Sequence, residues 1–193
     1  MAITLPAATR AVQLYGGAIT TILPSNLRDA SELRQVPDSQ EVWLDNDSNL
    51  SFILEVVQLV TESGAVDDLD AALRFHFNSL AHDNTALSAT ISSISLPTNF
   101  NNSSNTSIPT FGPATLSGRQ TVSKFNLPPE RADVVLVLMA LWRLPSKNTD
   151  LVLCVNFPVS EEGGPEIDST TAKKVFADAA HRLAIVDYGL FAG

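Results

Sequence analysis

Residues 134–157 read VVLVLMALWRLPSKNTDLVLCVNF. Two apolar runs, 134–142 and 151–157, are joined through the turn-forming segment PSKNTD at 145–150. A strand with one face in water alternates apolar and polar residues, and these runs are apolar on both faces, so both faces must be covered. A connection this short pairs its strands antiparallel, because a parallel crossover needs a dozen or more residues. Val134–Leu144 and Leu151–Phe157 are therefore expected as adjacent antiparallel strands near the centre of a sheet, with a layer on each side.

The flanking sequence supplies the rest of that sheet and its cover. AITTIL (18–23), QEVWLD (40–45) and SFILEVVQLV (51–60) are rich in β-branched and aromatic residues and are bounded by turn formers, so they read as strands. TALSATISSISL (85–96) reads the same way, and LSGRQTVSKF (116–125) reads as a polar strand suited to a sheet edge. Two segments change period. In 65–83, Val66, Leu69, Leu73, Phe77 and Leu80 recur at helical spacing on one face. There Asp67, Asp68 and Asp70 fall in the first turn, where carboxylates suit the helix dipole. STTAKKVFADAAHRLAIV (169–186) opens with Ser/Thr capping candidates and predicts a second helix. The Asn/Ser-rich stretch 97–113 has no periodicity and reads as an exposed loop, and residues 1–13 read as flexible. The expected fold is α+β, a three-layer α/β/α sandwich around a mostly antiparallel sheet, in one domain spanning 1–193.

At 193 residues the chain can bury ~70% of the surface its unfolded form exposes, so it needs no staples. Twelve basic and twenty-one acidic residues give a net charge of −9 and a pI near 4.6. That balance repels phosphate backbones and argues against nucleic acid, while fitting either solubility alone or a basic protein partner. The single cysteine, Cys154, excludes an intramolecular disulfide and fits a reducing compartment. No charged n-region precedes an apolar h-region at the N-terminus. The longest apolar run, Val134–Trp142, falls short of the ~20 residues a membrane helix needs. A soluble intracellular protein is expected.

Catalytic signatures are missing. Neither GxxxxGK[ST] nor GxGxxG occurs, nor does a GxSxG elbow, and His76, His82 and His181 lack metal-ligand spacing. His76 reads as a satisfied core histidine, Cys154 as a small buried hydrophobe, and Trp43 and Trp142 as packing residues. The acids at 67, 68 and 70 read as a solvated helix start rather than a metal site. No metal, no cofactor and no bond chemistry are expected; a hydrolase using Cys154 or a histidine is the enzymatic rival.

Pro37-Asp38-Ser39-Gln40-Glu41 is more polar than a turn requires. Either an Asp side chain stabilises the turn by accepting a backbone N–H two residues on, or the acids meet a basic partner. The surrounding residues carry a resemblance. LYGGA at 14–18, a strand ending at Pro24, and DASELRQVPDSQEV at 29–42 closely resemble the Ran guanine nucleotide release factor family, with its L-[YF]-G-G-A and D-[AV]-S-x-L-R-x-V-P-D-x-Q-E-V motifs. Weaker echoes run through FHF (75–77), LWRLPSKNTDLVL (141–153) and DYGLFA (187–192), and the Asn/Ser-rich loop departs from the pattern.

The resemblance implies the fold of the PsbP proteins of photosystem II. It also implies a nuclear and cytoplasmic protein that binds the GTPase Ran, promotes release of its guanine nucleotide and supports nucleocytoplasmic transport. It implies Asp38 and Glu41 as the Ran-binding acids. Pro37, Gln40 and Arg34 are then support residues, Arg34 by reaching back to a carboxylate. At a turn, both acids are expected to face solvent. A monomer is expected, and a second Ran-binding protein as a cooperating partner stays open. The alternative is a non-enzymatic structural or interaction protein with a PsbP-like fold and a different protein partner.

Overall fold

The computed structural model describes residues 8–45, 50–97, 112–123, 132–160 and 169–191. Its strands are β1 (Thr9–Leu14), β2 (Ile19–Pro24), β3 (Leu27–Asp29), β4 (Gln40–Asp45) and β5 (Ser51–Gln58), then β6 (Ser88–Ser95), β7 (Ala114–Ser123), β8 (Ala132–Leu144), β9 (Thr149–Ser160) and β10 (Ala184–Ile185). Helix α1 (Leu69–Asp83) lies between β5 and β6, and helix α2 (Thr170–Arg182) between β9 and β10.

The two-faced apolar runs become β8 and β9, paired antiparallel from Val134↔Ser160 to Leu144↔Thr149. Strand β9 is the middle strand of a seven-stranded antiparallel sheet ordered β3-β4-β5-β9-β8-β7-β6. Leu136, Leu138, Ala140, Trp142 and Leu144 point to one side, and Val137, Met139 and Leu141 to the other. On the first side they meet Leu151, Leu153, Val155 and Phe157 of β9, Ile19 and Leu23 of β2, and Val175 and Phe176 of α2. On the second they meet Val152, Cys154 and the α1 residues Leu69, Leu73 and Phe77. Burying each such side chain is worth about 1.5–3 kcal/mol, so a strand apolar on both faces forces a layer on each.

The layers are thus α1, the large sheet, and a composite of α2 with a small sheet ordered β1-β2-β10. The small sheet revises two sequence readings. Residues 9–13 are not flexible: β1 pairs with β2 from Thr9↔Pro24 to Leu14↔Ile19, burying Val12 and Leu14. The second helix does not run to 186: it ends at Arg182, and Ala184 and Ile185 pair with β2. Ser169 occupies its N-cap position without a side-chain cap bond.

Two further readings change on the α1 side. Of the polar segment 116–125, residues 116–123 are not an edge, because β7 pairs with both β6 and β8; 124 and 125 lie outside the described residues. Its polarity misleads because Gln120 is fully buried yet satisfied by the end of α1. Its Oε1 accepts from Asn84 Nδ2 at 3.0 Å, and its Nε2 donates to the Phe77 carbonyl at 3.4 Å. Helix α1 begins at Leu69, because Asp68 caps it by accepting from the Asp70 and Ala71 amides at 2.9 and 3.2 Å. Val66 therefore lies outside the helix and is exposed. Of the expected loop 97–113, residues 98–111 lie outside the described residues.

Candidate functional site

Strand β1 runs into β2 through a tight 3-10 turn at Tyr15–Gly17. Three successive residues there take positive φ: Tyr15 at 50°, Gly16 at 64° and Gly17 at 98°. Glycine accepts this freely, whereas a bulky side chain at positive φ is an outlier that the surroundings must hold. Tyr15 is held at both ends. Its backbone N–H donates to Glu41 Oε1 at 2.5 Å, and its hydroxyl lies 2.9 Å from the Ser39 carbonyl and 2.8 Å from that of Leu54. Burial, reinforced by the Glu41 and Glu55 charges, pushes the phenol well above its ordinary 10.0. The two halves of the sequence signature, LYGGA and PDSQE, are one structural unit.

Glu41 sits at the start of β4 opposite Leu54 of β5. It is half-buried, and burial raises its carboxyl above the usual 4.5, with Asp29 adding to the rise and the Tyr15 N–H opposing it. The expectation that Glu41 faces solvent is therefore corrected: Oε1 is committed to Tyr15. Oε2 accepts no hydrogen bond among the described residues. Beside it, Gln40 Nε2 donates to Glu55 Oε1 across the strand pair.

Asp38 is exposed, with no described hydrogen bond or ion pair. The turn closes without it, because the Gln40 amide donates to the Pro37 carbonyl at 2.9 Å. The side-chain-stabilised turn, one of the two alternatives at this position, is not what forms, and the Asp38 carboxylate has no partner among the described residues.

Between β3 and β4 the chain folds back through a second 3-10 turn at Ala30–Glu32. Asp29 caps it by accepting from the Ser31 amide at 2.8 Å. Ala30 is buried, and its carbonyl accepts from the Leu33 and Arg34 amides at 3.0 and 2.9 Å. Among the described residues Arg34 holds no carboxylate, contrary to expectation, and the residue is exposed. Pro37 is exposed as well. Of these five residues, the structure joins Glu41 to Tyr15 and Gln40 to Glu55 of the neighbouring strand, and leaves Pro37, Asp38 and Arg34 exposed.

Sequence reading missed Tyr15 as the partner of Glu41, since nothing in either motif shows that they touch. It also missed a buried network. Asp150 has no solvent exposure and accepts from Arg143 Nε at 2.8 Å and the Val60 amide at 3.0 Å. His76 Nε2 lies 3.0 Å from its Oδ2. Arg143 also donates to the carbonyls of Ala65, Val66 and Val60. His76 is thus a satisfied interior histidine. It lines a cavity of about 240 Å³ together with Cys154, whose thiol burial pushes up to about 12, far from a nucleophilic thiolate. Asp70 pairs with Arg74 at 2.6 Å. Trp142 is core, while Trp43 lies beneath the Arg10 guanidinium at 5.3 Å. Among the described residues no group of three His, Cys, Asp or Glu could hold a metal ion, and no helix is long and apolar enough to cross a membrane.

A family model described as Ran-interacting Mog1 protein matches residues 12–158. The chain is 34% identical over 185 residues to the Ran guanine nucleotide release factor of Danio rerio, covering 92% of this chain and 97% of that one. It is 28% identical over 199 residues to the nuclear import protein MOG1 of Saccharomyces cerevisiae, covering 94% and 84%. The crystal structure of the Saccharomyces cerevisiae Ran-binding protein Mog1p matches with a TM-score of 0.72 at 27% identity, covering 96% of this chain and 99% of that one. The solution structure of cyanobacterial PsbP from Synechocystis matches with a TM-score of 0.52 at 14% identity, covering 93% and 94%, a likeness of fold alone.

Proposed function

The chain belongs to the Ran-interacting Mog1 family, and from that premise we propose that it binds the small GTPase Ran and promotes release of its guanine nucleotide. It stabilises the nucleotide-free form in support of protein import into the nucleus, and it works as a monomer in nucleus and cytoplasm. The observation that carries this reading is the Tyr15–Glu41 unit, with the exposed Asp38 three residues before Glu41.

Release by binding involves no bond chemistry. Only a partner that prefers one state shifts an equilibrium, so the protein must bind nucleotide-free Ran more tightly than loaded Ran. A GTPase holds its nucleotide through a P-loop lysine and a magnesium ion, and loss of the phosphates leaves that cation without its counter-charge. Glu41 is suited to receive such a cation. Its carboxylate is held half-buried by Tyr15 and, among the described residues, has no cationic partner and no hydrogen bond at Oε2. A partner ammonium would offset the cost of burying its charge. Asp38, exposed beside it, adds attraction from solvent and a second contact.

The test is titration of nucleotide-free Ran with wild type and with the Asp38→Ala/Glu41→Gln double variant, alongside release of labelled nucleotide. Truncating a charge that becomes buried and paired on binding costs about 2–5 kcal/mol, or roughly thirty-fold to several thousand-fold in affinity. Excess GTP must also compete with the protein for Ran. Unchanged affinity in the double variant, or a complex indifferent to GTP, would sink the proposal.

A further inference from the structure

We propose that the cleft where β1, the β2–β3 turn and β3 meet β4 is a binding site for a guanine nucleotide, which the protein takes directly and without Ran. The phosphates go to Arg10 and Arg28, and the base to Trp43, Asn26 and the neighbouring acids. This inference stands apart from the Ran-binding reading, although its ligand is the molecule that reading sets free.

The cleft holds about 610 Å³, inside the range of about 300–1,000 Å³ typical of small-molecule sites. A free amino acid or a single oxyanion would leave most of it empty, whereas a mononucleotide is of its scale. Two polar atoms of its lining residues are left unpaired by folding. Trp43 Nε1 is a donor and Asn26 Oδ1 an acceptor; both are shut off from solvent, and neither has a hydrogen-bond partner among the described residues. Turning the Asn26 amide over would not cure this, because its Nδ2 already donates to Asp45 Oδ1 at 2.9 Å. A buried polar group without a partner is a net loss to the folded state. A donor and an acceptor orphaned in one cleft therefore point to a ligand that brings the missing acceptor and donor.

Arg10 is the movable part. Its guanidinium lies over the Trp43 ring at 5.3 Å, its Nη2 donates to the Leu27 carbonyl at 2.9 Å, and the residue is exposed. A cation–π contact at an exposed site is weak, and an arginine fork makes stronger, charge-assisted bonds to phosphate. A phosphate that draws Arg10 aside uncovers Trp43. Arg28 lines the same cleft, is exposed, and has no partner among the described residues, so it supplies a second cation.

Charge selects the base. Asp29 stands opposite Trp43 and Asp45 opposite Leu27 in the β3–β4 pair, and Glu32 lines the cleft as well. Three acids disfavour a plain oxyanion, so the ligand must carry N–H donors beside its anionic group. Guanine supplies both kinds of edge: O6 and N7 accept, which suits the Trp43 N–H, while N1–H and the exocyclic amine donate, which suits Asn26 Oδ1 and a carboxylate. Adenine has only its amine to donate.

The experiment titrates GDP into the purified protein, with no Ran present, by calorimetry and by tryptophan fluorescence. One GDP should bind per chain, with ADP and guanosine each weaker by about tenfold or more. The Arg10→Ala/Arg28→Ala variant should lose about tenfold or more in affinity for GDP, because the phosphates lose both cations. Trp43→Phe, which keeps a ring but has no N–H, should weaken GDP by a similar factor, and a thermal melt of each variant checks that it is folded. No saturable binding at millimolar GDP, or an affinity untouched by both variants, overturns the site. ADP bound as tightly as GDP overturns the assignment of the base. A protein that binds Ran but not GDP loses this inference and keeps the Ran-binding reading; one that binds GDP but not Ran does the reverse.

Discussion

Tyr15 and Glu41 are joined by a hydrogen bond from a backbone amide to a side-chain carboxylate, 2.5 Å long and spanning 26 residues of sequence. It fixes an aromatic residue at φ 50° and at the same time positions a half-buried carboxylate at the start of β4. One contact therefore serves both the fold and the candidate site, and the two roles can be separated by substitution.

Glu41→Ala removes the acceptor and leaves the Tyr15 amide unsatisfied next to a strained backbone. The expected destabilisation is about 1–3 kcal/mol, the usual cost of orphaning a buried donor. Glu41→Gln keeps an oxygen for that amide and removes only the charge, so its stability at neutral pH should equal or exceed that of wild type while Ran binding is lost. Asp38→Ala should change stability by no more than about 0.5 kcal/mol, as exposed substitutions usually do. Chemical denaturation of the three variants beside Ran titration checks the set. Equal destabilisation by Ala and Gln at position 41 would assign the effect to the charge instead.

The raised carboxyl of Glu41 also sets a pH dependence. With its folded pKa above the unfolded 4.5, the folded protein binds this proton more readily than the unfolded chain does. In the window between the two values stability therefore falls as pH rises. Its contribution is fully present below the unfolded value and lost once pH passes the folded one. Affinity for a cationic partner runs the other way, because only the ionised carboxylate pairs. Ran binding should thus strengthen as pH rises through the window in which wild type loses this contribution to stability. Glu41→Gln should lack both slopes when denaturation and titration are repeated across pH; a Gln variant that keeps them would move the effect to another group.

How much of this was legible in the sequence depended on how far apart the cooperating residues lie. Strands β8 and β9 announced themselves because apolar residues fill both faces, and the turn at 145–148 gave their pairing. Strand β1 stayed hidden because TRAVQL buries only Val12 and Leu14 and shows no strong alternation. Strand β7 resembled an edge because Gln120 and Gly118 owe their places to α1, which is distant in sequence. The acids Asp38 and Glu41 came from motif resemblance, but only the folded chain reveals that one is exposed and the other held by Tyr15. Arg143 and Asp150 could have been found: they are directly opposite in the β8–β9 hairpin.

Gly118 tests the packing of α1 on β7. A Cβ built there would lie 2.6 Å from Phe77 Cε2 and 2.9 Å from the Thr90 carbonyl oxygen. Phe77 is itself buried, so its ring has little room to retreat. Gly118→Ala should destabilise by about 1–3 kcal/mol, the range for overpacking a filled core. Pairing it with Phe77→Leu should cost less than the sum of the single changes, because the smaller side chain vacates the clash. Additive costs in a denaturation cycle would place the strain at Thr90 rather than at the ring.

The Arg143–Asp150 pair carries the last expectation. Asp150 is wholly buried, and its carboxylate is satisfied by Arg143, the Val60 amide and His76. Replacing Arg143 by Met keeps much of the aliphatic stem but strips the charge from beside a buried carboxylate. Removing one member of such a pair typically costs about 3–5 kcal/mol, because the survivor is left uncompensated. Removing both avoids that penalty, so Arg143→Met with Asp150→Leu should be less damaging than Arg143→Met alone. The recovery will be incomplete, because the Val60 amide and the Ala65 carbonyl lose their partners with the pair. Urea denaturation of the two singles and the double measures this directly. A double variant as unstable as the sum of its singles would mean that the two residues stabilise the fold independently, Arg143 through the carbonyls of Val60, Ala65 and Val66 rather than through Asp150.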